Sequence, residues 1–220
     1  MTAAAALKIF VDFAMLACFL FLFALPATGV FTHEVLGSFL FVLFLLHNAL
    51  NYRWYRSLFK GGYGAERILR TSVNAALLIM FLTAVLSGAG ISRSLFKFIG
   101  GGGFYLHKLH VFSAHWALFF MAVHLGFHAS IIGSALKKLP RSIGLCLRLM
   151  FVCFAVYGLK VFFAEEIFAK LVFYYTFSFN GAERGLTWFC LTYFSLICFY
   201  ASLGYAALFL IGKTARKKLK

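Results

Sequence analysis

The chain has 220 residues, 63% of them hydrophobic and only 12% charged, with a mean hydropathy of +0.92, which excludes an ordinary soluble domain. Its net charge of +15 does not point to nucleic acid, because the Lys and Arg residues gather between long apolar runs and no polar face is available to carry a basic surface. Composition instead implies membrane lipid as the surroundings and an all-α integral membrane bundle of about six transmembrane helices.

A membrane-spanning helix needs roughly 20 apolar residues. In chain order the candidate spans are residues 7–25, 35–52, 69–86, 109–132, 143–163 and 186–211. The first resembles a signal peptide with a processing site near Ala24, Leu25, Pro26 and Ala27. The run is long for such a segment, however, Asp12 interrupts it and Lys8 is the only basic residue before it, so a retained first helix is expected. The string from Leu25 to Gly29 also spells a sortase-type motif. Such a signal belongs before a C-terminal hydrophobic tail, so Pro26 and Gly29 are read simply as ending the first helix.

Basic clusters fall at 53–70, at 137–148 and in the tail from Lys213. Alternating the loops puts fifteen Lys and Arg on one side, against Arg93, Lys97, Lys108, Lys160, Lys170 and Arg184 on the other. The positive-inside rule then places both termini in the cytoplasm, with the bacterial inner membrane as the expected location. The glycine runs at 61–64 and 100–103 lack the strand-to-helix setting of a phosphate cradle and read as turns. Residues 167–179, rich in aromatics around Lys170, read as an interfacial hairpin on the outer side. One domain is expected over 1–220: a first helix over 1–27 that is a possible signal anchor, a helical bundle over 28–211 and a basic cytoplasmic tail over 212–220. The five cysteines lie in apolar runs at spacings that fit no zinc site, iron–sulfur cluster or covalent haem attachment.

The chemistry is concentrated in seven histidines in or beside the second and fourth spans. An ionisable side chain in a membrane span is a functional hypothesis by default, although a lone histidine there often serves only as a polar contact between helices. His33 and His47 are fourteen residues apart, as are His110 and His124. Fourteen residues return to within roughly 40° of the same helix face after a rise of about 21 Å. The two spans are separated by one other and run parallel, so His33 is expected level with His110 near the outer surface, and His47 level with His124 near the inner one. Facing imidazoles at two depths suit two bis-histidine haems b, since ligation satisfies a nitrogen lone pair that lipid cannot. His128, one turn beyond His124, and His107, one turn before His110, are alternative ligands. His115 points about 140° away from His110 and reads as a helix-contact or quinone-side residue. Gly37 and Ala114, each one turn from a histidine, leave room for a macrocycle but equally suit helix packing. Arg53, Arg56 and Arg70 are candidate partners for the propionates of the inner haem, or simply topology charge. Glu34 is a proton relay, an orienting group or a helix cap.

The stretch Thr28-Gly29 with His33-Glu34 and Gly37, then His47-Asn48 with Asn51 and Trp54, resembles the flavinylation-associated cytochrome domain family. So do Leu109-His110 with Trp116, and His124-Leu125-Gly126 with His128. The last helix, entering from Glu183 and carrying Gly204-Tyr205 before the basic tail, fits less specifically. The likeness extends from about residue 28 over most of the chain. It implies a membrane di-haem cytochrome b working with extracytoplasmic proteins that bear covalent flavin. His115 stands where the family pattern has Tyr, and Ala129 where it has Trp; both bear on local haem or quinone contacts and not on the ligand set.

No nucleotide motif is present, and no loop is large enough to hold a flavin or nicotinamide domain, so a partner subunit must supply such chemistry. The expected function is electron transfer from quinol or another cytoplasmic-side donor to a flavin-bearing or other redox partner outside. The alternatives are a metal-ion transporter using the histidines, or a membrane anchor subunit without haem. Transporters usually show broken helices or internal repeats at the site, and the His-bearing spans contain no Pro.

Overall fold

The computed structural model describes residues 3–99, 101–174 and 184–218, and side chains through residue 214. These residues are helical with no strand, in ten segments: α1 (Ala3–Leu22), α2 (Leu25–Thr28), α3 (Val30–Leu50), α4 (Tyr52–Ser57), α5 (Ala65–Gly90), α6 (Phe104–Phe127), α7 (Ala129–Leu136), α8 (Arg141–Ala164), α9 (Ile167–Leu171) and α10 (Leu186–Lys218). Six of them, α1, α3, α5, α6, α8 and α10, are long and apolar enough to cross a membrane. In lipid the backbone must satisfy its own hydrogen bonds, and only helices or closed barrels do so.

The boundaries differ from the expected spans at two informative places. The first helix ends at Leu22, before Pro26, which sits instead in the first turn of α2, where it removes no needed donor. Gly29 then turns the chain into α3 with φ +81°, a conformation that costs glycine little. The expected span over 109–132 begins five residues earlier and breaks at His128, the residue that opens α7. The part of the expected outer hairpin beyond Tyr174, and Glu183, lie outside the described residues. Its first part is the short helix α9, whose Ile167 and Leu171 are buried.

The chain forms two compact units. One comprises Met1–Gly62, Val85–His107 and Phe177–Cys190; the other comprises Tyr63–Ala84, Lys108–Thr176 and Leu191–Lys220. In the first unit α1 packs along α3, burying Val11, Cys18 and Phe19 from one helix and Leu40 and Leu43 from the other. Lys8 Nζ donates to Asn51 Oδ1 at 3.1 Å, tying the start of α1 to the end of α3.

In the second unit α6 and α10 approach closely through small residues. A Cβ on Gly126 would lie 2.1 Å from the carbonyl oxygen of Ala201, and one on Gly204 would lie 2.4 Å from that of Val123. Gly158 of α8 meets the carbonyl oxygen of Ser195 in the same way, at 2.1 Å. Lipid gives apolar helices no hydrophobic reason to associate, so close backbone packing through such residues provides the attraction. Trp116 Nε1 donates to the carbonyl of Leu171 at 2.9 Å and fixes α9 against α6. Much of α8, by contrast, presents Leu145, Leu149, Val152, Val156 and Phe163 outward, as a lipid-facing helix does.

Replacing Gly158 with Ala forces a methyl group into backbone and is expected to cost about 1–3 kcal/mol, the usual range for overpacking. A lower thermal midpoint for the purified variant in detergent checks this; an unchanged midpoint contradicts the close approach of α8 and α10.

Candidate functional site

All seven histidines fall on or beside α3 and α6. His33 and His47 lie on α3 in the first unit; His110, His115 and His124 lie on α6 in the second. Each of the four histidines paired by spacing has its Nδ1 within hydrogen-bond distance of an oxygen on a neighbouring helix. His33 meets the carbonyl of Leu22 at 3.0 Å, and His47 meets Asp12 Oδ1 at 2.7 Å, both on α1. His110 meets the carbonyl of Ala84 at 2.8 Å, and His124 meets Asn74 Oδ1 at 2.7 Å, both on α5.

A carbonyl or carboxylate oxygen can only accept, so Nδ1 is the donor in each of these bonds. Metal-bound histidines take this form as a rule: one ring nitrogen donates to an oxygen, which holds the ring and raises the basicity of the other. The donor set therefore fits haem iron, which neutral imidazole binds through one nitrogen.

The two hairpins solve this problem in one register. Asp12 and Leu22 are ten residues apart, as are Asn74 and Ala84, and the histidines they hold are fourteen apart in both cases. In each hairpin one acceptor is a backbone carbonyl and the other a polar side chain, deep in an apolar helix. The match extends one turn further. Lys8 stands four residues before Asp12 and bonds Asn51 at the end of α3; Arg70 stands four residues before Asn74 and reaches the carbonyl of Phe127, at 3.4 Å, at the end of α6. Gly37 and Ala114 follow His33 and His110 by four residues in the same way.

The remaining candidates are placed differently. His115 is buried, with Nδ1 2.8 Å from the carbonyl of Val111 one turn back on its own helix and its ring 6.4 Å from that of Tyr193. It is a contact between α6 and α10. His107 lies in the first turn of α6, its backbone N–H bonded to the carbonyl of Gly103. His128 does not continue the helix of His124; it caps α7 from the break, with its ring edge-on to His124 at 5.0 Å. Arg70 already pairs with Glu66 at 2.9 Å as well as with Phe127, whereas Arg53 is exposed on α4. Among the described residues no three His, Cys, Asp or Glu side chains converge on a common metal position.

Glu34, beside His33, is fully engaged. Its carboxylate accepts from Ser92 Oγ at 2.8 Å and from the backbone N–H groups of Arg93, Ser94 and Leu95 at 2.7, 3.1 and 2.8 Å. The segment after α5 is thus folded around one carboxylate at the start of α3. Sequence reasoning noticed Glu34 but missed these donors, since backbone groups leave no trace in residue type. It also passed over Asn74, and took Asp12 only as an interruption of an apolar run. The signal available was the pairing of a basic residue with a polar one four positions later in two spans.

The chain was compared with protein-family models, curated proteins and solved structures, and none matches.

Hydrogen bonds to a charged group contribute roughly 1.5–3 kcal/mol each, enough for a tenfold or larger change in local opening. Glu34→Ala is expected to raise amide exchange of the 91–99 segment at least about tenfold, read by hydrogen–deuterium exchange of that peptide. Unchanged protection would show that the carboxylate does not organise it.

Proposed function

We propose that this chain is a membrane electron-transfer subunit carrying two b-type haems, one held by His33 with His110 and the other by His47 with His124. The observation that supports this most is the shared anchoring of the four imidazoles: each has its Nδ1 held by an oxygen of the neighbouring helix, as metal-bound histidines do. The equal fourteen-residue steps and the likeness of the motifs around them to the flavinylation-associated cytochrome family support the same reading. Haem b bound in this way supplies one-electron exchange between ferric and ferrous iron.

The protein's part is to hold the rings, exclude water and set the acceptor strength behind each ligand. With both termini cytoplasmic, His47 and His124 face the inner side and His33 and His110 the outer, in the inner membrane of a bacterium. Quinol is the donor class that suits the inner side: its oxidation to quinone releases two electrons and two protons. The acceptor is an extracytoplasmic flavin-bearing partner, which takes up two electrons one at a time and draws its protons from its own side. In this reading the chain acts as an electron-transfer subunit of an oxidoreductase system rather than as a stand-alone enzyme.

Protein purified from cells well supplied with haem is expected to show a b-type α-band on dithionite reduction and two haems per chain by pyridine haemochrome. His47→Ala should reduce that count by about one, while His115→Ala leaves it at two. A colourless wild-type protein rejects the reading in favour of a metal-ion transporter or an anchor subunit.

A further inference from the structure

A second chemically distinct feature lies away from the histidine anchors, wholly within the second unit, where α7 meets the start of α8. Along α7, Ala129, Gly133 and Leu136 are half-buried, while Ile131 and Ile132 stand exposed, with Leu139 exposed just beyond. Ser130, Ser134 and Lys137 follow at helical steps on a separate stripe. A short amphipathic segment of this kind suits the boundary between headgroups and acyl chains. A Cβ on Gly144 would lie 3.2 Å from the carbonyl oxygen of Leu136, so the end of α7 rests on the first turn of α8.

That contact gathers Lys137, Lys138 and Arg141, all exposed, at one end of α8. No acidic residue occurs between Glu66 and Glu165, and Glu66 is paired with Arg70. From the same end an apolar groove of about 720 Å³ runs along α8. Ser142 stands at its mouth, Leu145, Cys146, Leu149 and Cys153 follow, and Tyr157 lies at its far end. Phe154, edge-on to Phe194 of α10 at 5.1 Å, lines it as well. The helix rises about 22 Å between Ser142 and Tyr157, more than the roughly 15 Å of hydrocarbon in one leaflet.

We infer that this groove and the cations at its mouth form a binding site for an anionic phospholipid, with the phosphate held by Lys137, Lys138 and Arg141 and one acyl chain laid along α8. Such a site is independent of any haem. Charge names the occupant: an apolar groove alone accepts any lipid tail, whereas clustered cations at headgroup depth favour a lipid of net negative charge over a zwitterionic one. Each Lys or Arg so placed strengthens the contact by roughly fivefold.

The test uses the full chain purified in mild detergent and titrated with phosphatidylglycerol or phosphatidylcholine, bound lipid being counted by native mass spectrometry. Combining Lys137→Gln, Lys138→Gln and Arg141→Gln removes the charge and leaves the groove; Cys146→Trp fills the groove and leaves the charge. All four positions are exposed, and an unaltered thermal midpoint checks that each variant is folded.

The wild-type chain is expected to prefer phosphatidylglycerol, and the triple variant to lose about tenfold or more of its affinity for that lipid. Cys146→Trp should weaken the hold on both lipids. Equal retention of the two lipids by the wild type, or phosphatidylglycerol binding untouched by the triple variant, would overturn the site. Binding that depends on the charges but ignores Cys146→Trp would overturn the groove as the seat of the chain. Should a variant unfold, salt decides on the wild type: near 1 M the Debye length is about 3 Å, so the preference for phosphatidylglycerol should vanish, and its survival contradicts the site. Heparin displacing phosphatidylglycerol would mark a face for an acidic macromolecule, which also overturns the lipid assignment.

Discussion

An imidazole inside an apolar helix pair has two nitrogens to satisfy, and lipid offers a partner to neither. Leaving a polar group unpaired in such surroundings costs roughly 2–7 kcal/mol. Here the Nδ1 side of the requirement is met by the neighbouring helix at four places. Much else in the chain follows. Apolar helices slide past one another at little cost, whereas a helix that must put an oxygen 2.7–3.0 Å from a particular ring nitrogen has one register. The bonds that hold the rings therefore also fix α1 on α3 and α5 on α6.

That constraint is met twice with the same spacing. In each hairpin the first helix supplies a basic residue, a polar acceptor four residues on and a carbonyl ten residues beyond that, and the second supplies histidines fourteen apart. The side chains around these positions share little, so what repeats is the solution to a geometric problem and not a stretch of sequence. At the side-chain anchors the two hairpins differ in chemistry, a carboxylate at Asp12 standing where the other has the amide of Asn74. The second unit adds a different kind of order: close helix crossings at Gly126, Gly158 and Gly204, where the glycine comes up against a backbone carbonyl of the neighbouring helix.

The proposed function makes physical sense of how sparingly the chain uses charge inside its spans. An electron carrier needs ligands, a dry environment and control over basicity; it does not need a lining of carboxylates or broken helices. Most of the basic residues lie outside these spans or near their ends, where contact with anionic lipid favours them. Glu34 likewise serves shape, gathering the backbone of the 92–95 segment against the start of α3.

The sequence by itself determined the all-α class, the six spans and the four histidines at equal steps, because hydropathy and helical periodicity are properties of residue order alone. It also marked His115 as the histidine off the common face. Only the tertiary structure decided where the helices end, as at Leu22 and His128, and what stands behind each imidazole. Those acceptors are a carboxylate, an amide and two backbone carbonyls contributed by the preceding span of each hairpin. A carbonyl has no residue type to read, and an Asp or Asn in an apolar run signifies nothing until its partner is brought within reach of a hydrogen bond. Which oxygen each of these rings donates to was therefore not written in the order of residues; it was decided when the neighbouring helix came to rest against it.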